Sequence, residues 1–240
     1  TQNSDADNLN TALGFYAGAA VTTGTNNTLI GSQAGDALDT GDNNSVLGAS
    51  ALSQATKSDR NVAVGKDALT TLNHTTQTDS YNIAVGFQSG LVMTTGVQNT
   101  IVGSLAGDAL TDADYNVAVG YGALSGDTLG STSVAIGTNA LATQNFTTAT
   151  NSYNTAVGDS AGVSVTTGVS NTLIGGLAGD AITAGGENTT LGYKSLSVNT
   201  TGFYNTAIGS RALANMNVAD SSSTYNTAVG YNAGNDVTTG

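Results

Sequence analysis

The sequence predicts an all-β fold, a parallel β-solenoid of about thirteen coils, and three observations carry that expectation. A pentapeptide of the form Asn-Thr-Ala-Val-Gly recurs thirteen times, from residues 10–14 and 27–31 to residues 226–230. Its closing glycines stand at 14, 31, 48, 65, 86, 103, 120, 137, 158, 175, 192, 209 and 230, so the spacing runs 17, 17, 17, 21 and then repeats. Each motif is a short β-branched run ended by glycine and followed by a polar Thr/Asn/Asp/Gly stretch, which reads as strand then turn. A helix is excluded, because glycine recurs too densely and the aliphatic positions do not follow a 3.6-residue period. The coils are numbered 1 to 13 below by these motif glycines.

Three spacings of 17 and one of 21 make a 72-residue super-repeat, with copies at about 10–81, 82–153 and 154–225 and a partial fourth at 226–240. Residues 1–240 therefore read as a single solenoid repeat segment. The chain begins without Met and stops inside a repeat, since Val237-Thr-Thr-Gly240 matches Val21-Thr-Thr-Gly24. It is expected to be a segment of a longer fibre.

Within a coil, the columns can be taken in order. Four residues before the motif glycine stands Asn in twelve of thirteen coils, with Ser133 the exception. The residue just before the glycine is always Val, Ile or Leu, as in Val85 and Ile174, and it is taken as core. Three after the glycine comes Ala or Ser. Four after it the pattern runs Gly, Gly, Leu, Leu: Gly18, Gly35, Leu52, Leu69, then Gly90, Gly107, Leu124, Leu141. Seven after it, every Gly-type coil has a large aliphatic (Val21, Leu38, Met93, Leu110, Val165, Ile182, Val237), whereas Leu-type coils relax to Ala55, Asp127, Gln144 or Asn199, with Leu72 and Met216 still apolar. Such compensation is what a fixed interior volume per layer demands. Two short strands and two turns per coil, stacked at about 4.8 Å, would give a rod of roughly 60 Å.

The strand is apolar on both faces, because neighbours such as Leu29-Ile30 and Ile101-Val102 must point to opposite sides. One face fills the coil; the other needs a second buried surface. Lateral association with copies of the chain, as a homotrimer, is the expectation.

Composition narrows the function. Seventeen acidic residues against five basic ones give a net charge of −12 with no basic stripe, which argues against nucleic acid and anionic membranes as partners. No apolar run approaches the roughly 20 residues of a membrane-spanning helix, so no membrane insertion is expected of this segment. The absence of Cys fits an extracellular surface or virion protein that needs no disulfides.

Ser131-Thr-Ser-Val-Ala-Ile-Gly137-Thr-Asn-Ala140 and Asn44-Ser-Val-Leu-Gly48-Ala-Ser-Ala51 resemble the YadA-like head repeats of trimeric autotransporter adhesins, whose signature is Asn-Ser-Val-Ala-Ile-Gly followed by x-x-Ala. The resemblance covers essentially the whole chain. It implies a left-handed parallel β-roll, three chains side by side, and an adhesive or spacing role on a bacterial cell surface. The family's usual coil is shorter than the 17 residues here, and no stalk or anchor is present. Asn226-Thr-Ala-Val-Gly-Tyr231 with Thr-Thr-Gly turns also resembles repeats in phage long tail fibres. A host-surface or glycan receptor is the partner either kind of fibre would engage.

Motifs that suggest chemistry are absorbed by the repeat. Gly158-Asp-Ser160-Ala-Gly162 matches a G-x-S-x-G elbow, but Ser160 shares a variable column with Tyr16, Gln33, Gln88 and Asn232. His74, the only histidine, falls in a polar insert and reads as a solvated loop residue. Asp36, Asp39 and Asp42, echoed by Asp108, Asp112 and Asp114, suggest Ca²⁺, yet Asp39 and Asp42 become Thr183 and Gly186 in the third copy, leaving only Asp180. They read as solvated turn residues. Gly175-Gly-Leu-Ala-Gly179 falls short of a dinucleotide fingerprint, and Asn-x-Ser/Thr triplets at Asn26, Asn43, Asn73, Asn145, Asn188 and Asn199 are expected in so Asn- and Thr-rich a chain. No residue is assigned to catalysis, cofactor binding or metal binding, and the chain is not expected to be an enzyme. An ice- or carbohydrate-binding solenoid would need an unbroken Thr or aromatic array, which Val62, Ile83, Val117 and Val134 interrupt. The polar four-residue inserts, within about 73–80, 145–152 and 217–224, are expected to protrude about every 19 Å and read as a tolerated loop insertion duplicated with its unit, with a receptor-binding row as the alternative.

Overall fold

A computed structural model describes residues 8–218 and 220–239, which form an all-β parallel β-solenoid of about thirteen turns with no helix. Two compact units divide it at Asn116/Val117. In the first, β1 (Thr11–Leu13), β2 (Thr28–Ile30), β3 (Ser45–Leu47), β5 (Val62–Val64), β7 (Ile83–Val85) and β8 (Thr100–Val102) pair in that order, while β4 (Ser58–Asp59) pairs with β6 (Thr78–Asp79). In the second, β9 (Val117–Val119), β11 (Val134–Ile136), β13 (Thr155–Val157), β14 (Thr172–Ile174), β15 (Thr189–Leu191), β16 (Thr206–Ile208) and β17 (Thr227–Val229) pair in order, and β10 (Gly130–Ser131) pairs with β12 (Thr150–Asn151). Every pairing is parallel, and those between motif strands join equivalent motif residues, for example Thr155 with Thr172 and Val157 with Ile174.

The motif Asn explains itself in this geometry. Asn27 Nδ2 donates to Gly41 O (2.8 Å), closing its own coil, while its Oδ1 accepts the backbone N–H of Asn44 in the next (2.9 Å). Asn171 does the same with Gly185 O and Asn188 N. A buried amide that both closes a coil and ties it to its neighbour leaves few alternatives at that position. The motif glycine is equally constrained. At Gly31, φ is +136°, and a Cβ would stand 2.4 Å from the carbonyl oxygen of Gly48.

The interior is built from columns the sequence reading placed only in part. Val85 and Ile174, taken as core, lie half-exposed on the outer face; the buried residues are their neighbours Ala84 and Leu173. Strand alternation decides this, and volume tells the faces apart. The outward column is uniformly Val, Ile or Leu, whereas the inward one varies with its layer. Where it is Leu29, Ile101 or Leu173, the residue four after the motif glycine is Gly35, Gly107 or Gly179. A Cβ on Gly35 would come within 2.9 Å of Leu29 Cδ2, and one on Gly179 within 2.8 Å of Leu173 Cδ2.

That same position is left-handed even when it is not glycine: φ is +52° at Leu52, +55° at Leu124 and +50° at Leu213. A left-handed leucine costs roughly 1–2 kcal/mol, and full burial of its side chain returns about 1.5–3 kcal/mol. Leucine is therefore tolerated only where the layer has room for it. The relaxed residues of Leu-type coils are not solvent-facing either, since Ala55, Asp127, Gln144 and Asn199 are all fully buried.

Candidate interaction surface

Each three-residue strand points its middle residue inward and its flanking residues out; only terminal β1 is exposed throughout. The outward residues form two rows. In the first unit they run Thr11, Thr28, Ser45, Val62, Ile83, Thr100 beside Leu13, Ile30, Leu47, Val64, Val85, Val102. In the second they run Val117, Val134, Thr155, Thr172, Thr189, Thr206, Thr227 beside Val119, Ile136, Val157, Ile174, Leu191, Ile208, Val229. None of these side chains ionises. Leu13 is 67%, Leu47 51% and Val229 67% exposed, in a protein whose interior aliphatics reach 0%.

Aromatic residues flank the rows, one residue after the motif glycine and five before it. Phe15, Tyr81, Phe87 and Tyr115 do so in the first unit, and Tyr121, Tyr153, Tyr193, Tyr204, Tyr225 and Tyr231 in the second, all exposed. Tyr204 and Tyr225 stack with ring centroids 5.0 Å apart. A hydrogen bond to the Glu187 carboxylate raises the Tyr204 phenol above its ordinary pKa. Three of the basic side chains lie over such rings: Arg60 over Tyr81, Lys66 over Phe87 and Lys194 over Tyr193, at 5.6 to 5.7 Å.

The sequence candidates fall elsewhere. Ser160 is half-buried, has φ +54°, and its hydroxyl donates to Asp159 (3.4 Å) while its backbone N–H donates to Thr138 O (2.8 Å), in a turn that leads to no helix. His74 is not solvated: it is 6% exposed, with Nε2 buried and unpartnered. Burial lowers its pKa below the ordinary value, partly countered by the charges of Asp112, Asp114 and Asp59. The signal was in the alignment of the long coils. Phe146 and Val218 occupy the same position, nine after the motif glycine, and are buried too. Each insert thus leaves its coil from an anchored side chain.

The inserts lie along their neighbours. Thr78 N donates to Lys57 O and Ser80 N to Asp59 O, while Gln77 Nε2 reaches Thr40 O, Asp42 Oδ2 and Asp59 Oδ1. Exposed in the first two inserts are residues 73, 75–77 and 79, and 145, 147–149 and 151; residue 219 of the third insert lies outside the described residues.

The turn carboxylates do more than meet solvent. Asp42 accepts from Thr25 N (2.6 Å), Asp114 from Val97 N (2.8 Å) and Asp112 from Thr95 Oγ1 (2.6 Å), each from the preceding coil. Burial raises the pKa of Asp108, Asp114 and Asp180. In Asp36, Asp108 and Asp180, which recur every 72 residues, the same Oδ1 is shut from solvent without a partner. Among the described residues no group of three or more His, Cys, Asp or Glu is placed to hold a metal, and no helix is long and apolar enough to cross a membrane. A shallow concavity of about 300 Å³ is lined by Lys194, Arg211, Asn215 and Asn235.

Fold and surface together define a parallel β-solenoid with a repeated apolar outer face. The chain matches no protein family, no curated protein and no solved structure.

Proposed function

We propose that this chain is a structural, non-enzymatic segment of an extracellular fibre, an adhesin head or shaft, in which three copies pack side by side. The observation that carries the reading is the charge-free double row of Thr, Val, Ile and Leu on the outer face of successive coils. Apolar surface repeated over many coils is removed from water by association. A partner that buries all of it must present side chains at the same spacing of about 4.8 Å, and a second copy of this chain is such a partner. Charge supports the same occupant. A net charge of −12 repels copies of the chain, and the rows are where that repulsion is weakest.

A 17/17/17/21 period would bring neighbouring chains into phase every 72 residues. A host-surface or glycan receptor would meet the polar insert tips and variable turn columns. Within the same class, the resemblance to phage long tail fibres supports a tail-fibre shaft as the alternative. A second reading, an ice- or carbohydrate-binding face, draws on the unbroken in-register run Thr155, Thr172, Thr189, Thr206, Thr227 in the second unit. It requires the rows to stay open to water.

Sedimentation equilibrium decides between them. The unaltered chain is expected to sediment as a trimer, and Val157→Lys with Ile174→Lys to give a β-structured monomer. A monodisperse monomer for the unaltered chain overturns the proposal, and thermal hysteresis from that monomer would establish the second reading.

A further inference from the structure

Inside coils 7 to 9 (motif glycines Gly120, Gly137 and Gly158) lies a closed polar network. Asp127, Ser133, Gln144, Ser152 and Asn154 are all fully buried. Gln144 Nε2 donates to Asp127 Oδ2 (2.5 Å) and Ser133 Oγ (2.8 Å), and Gln144 Oε1 accepts from Asn154 Nδ2 (2.8 Å). Asp127 Oδ1 accepts the backbone N–H groups of Gly130 (3.0 Å) and Phe146 (3.2 Å), and the Ser133 and Ser152 hydroxyls share a 2.6 Å bond. Among the described residues, Asp127 and Gln144 are the only two residues of their interior column bonded to one another.

The network is unique in a chain that otherwise repeats. Seventy-two residues before and after Asp127, Ser133 and Gln144 stand Ala55, Asn61, Leu72 and Asn199, Asn205, Met216. Apart from Ser133, the motif Asn, motif glycine, strand and Gly/Leu columns recur at that interval, so none of them distinguishes a coil from its equivalent. Solenoids nucleate at any repeat and grow by nearest-neighbour contacts, and near-identical repeats are prone to misassembly.

We propose that the Asp127–Gln144 network is a register key that makes coil 8 the only coil able to stack on coil 7. Coil 12 offers coil 7 an equivalent strand, Thr206–Ile208, and the same Ala212-Leu213 pair that Ala140-Leu141 supplies in coil 8. Placed there, it brings Met216 against Asp127 and leaves the Oδ2 of a buried carboxylate without a donor. A buried charged group deprived of its partner is strongly destabilising, whereas the backbone ladder is indifferent to the slip. Buried polar groups fix register in coiled coils by the same penalty.

Disulfide trapping in this cysteine-free chain reads the register directly. Thr128 Oγ1 donates to Asn145 Oδ1 across coils 7 and 8 (2.9 Å), and Thr200 to Asn217 across coils 11 and 12 (3.0 Å). A Thr128→Cys/Asn145→Cys pair therefore reports native stacking, and Thr128→Cys/Asn217→Cys the slipped one. After refolding, the slipped cross-link is expected to be near background in the parent. It should reach about a tenth of molecules when Asp127→Ala, Ser133→Asn and Gln144→Leu install the residues of the first copy. A reciprocal variant keeps the network intact but duplicates it in the third copy, through Asn199→Asp, Asn205→Ser, Met216→Gln and Thr224→Ser. It should slip as well, because the key is no longer unique. Slipped yields equal to the parent in either variant that forms the native cross-link overturn the proposal.

Discussion

Leu173 and Ile174 are adjacent, both aliphatic, and assigned by the fold to opposite fates. Leu173 is fully buried, and its Cδ atoms occupy the space in front of two glycines: a Cβ on Gly162 would lie 2.6 Å from Cδ1, and one on Gly179 2.8 Å from Cδ2. Leu173→Ala therefore opens a cavity in front of Gly162 of the preceding coil and Gly179 of its own, neither of which has a side chain to fill it. Its cost belongs in the upper part of the Leu→Ala range, about 3–5 kcal/mol. Ile174→Ala removes a half-exposed side chain and should cost about 1 kcal/mol in the dissociated chain.

A double-mutant cycle sharpens the test. Gly179→Leu alone overpacks Leu173 and places leucine at φ +58°, costing about 2–5 kcal/mol. Combined with Leu173→Ala, it recreates the Ala207/Leu213 arrangement of coil 12 and should recover at least about 1 kcal/mol relative to the sum of the single changes. Urea unfolding at constant m, at dilutions where association no longer shifts the midpoint, measures all four proteins. Equal losses for Leu173→Ala and Ile174→Ala, or strict additivity of Leu173→Ala with Gly179→Leu, would refute the inward–outward assignment.

Other outcomes follow from the same packing. The pKa of His74 is lowered by burial, so its contribution to stability is complete above the unfolded value of about 6.5 and is lost as pH falls through and below it. Asp108, Asp114 and Asp180 have raised pKa values and act in the opposite sense, so the difference between the parent and His74→Phe reports the histidine together with its coupling to Asp114. That variant, which copies Phe146, should gain stability relative to the parent between pH 7 and pH 5 in thermal melts; parallel pH profiles would contradict it. Asn171→Ala removes the donor to Gly185 O and the acceptor for Asn188 N and Nδ2. It should cost about 3–5 kcal/mol, with hydrogen exchange accelerating first at Asn188; a loss under about 1 kcal/mol would mean that the ladder is incidental.

The repeat made the architecture legible. Fixed spacing, β-branched runs ended by glycine and the Asn column led to strands, turns and stacked coils, which the fold shows, but with one three-residue strand per coil instead of two. Among the described residues the opposite side pairs only as β4–β6, β10–β12 and the Phe203–Ser223 bridge, because its turns are too polar and irregular to keep a continuous ladder. The Gly/Leu alternation marked an interior column, since Leu52, Leu69, Leu124 and Leu141 are fully buried. Which strand face is the interior is not legible in the sequence, because Ala84 beside Val85 gives no clue when both faces are apolar and the larger residue is a natural candidate for core. His74 was misplaced because its neighbours are polar. Only comparison with Phe146 and Val218 reveals an anchor column, and stacking alone explains why a side chain there is buried. The Asp127–Gln144 network looked like a relaxed, tolerant column, since hydrogen bonds between residues 17 apart leave no local pattern.

Sequence alone determined that this chain stacks coils, and where each coil begins and ends. Backbone demands at Asn27 and Gly31 are local and recur identically, so periodicity records them directly. Tertiary structure decided which aliphatic row faces in, which faces out, and which polar residues are sealed inside. Those are properties of one layer resting on the next. A strand with two apolar faces acquires an inside only when its turns close a coil around one of them.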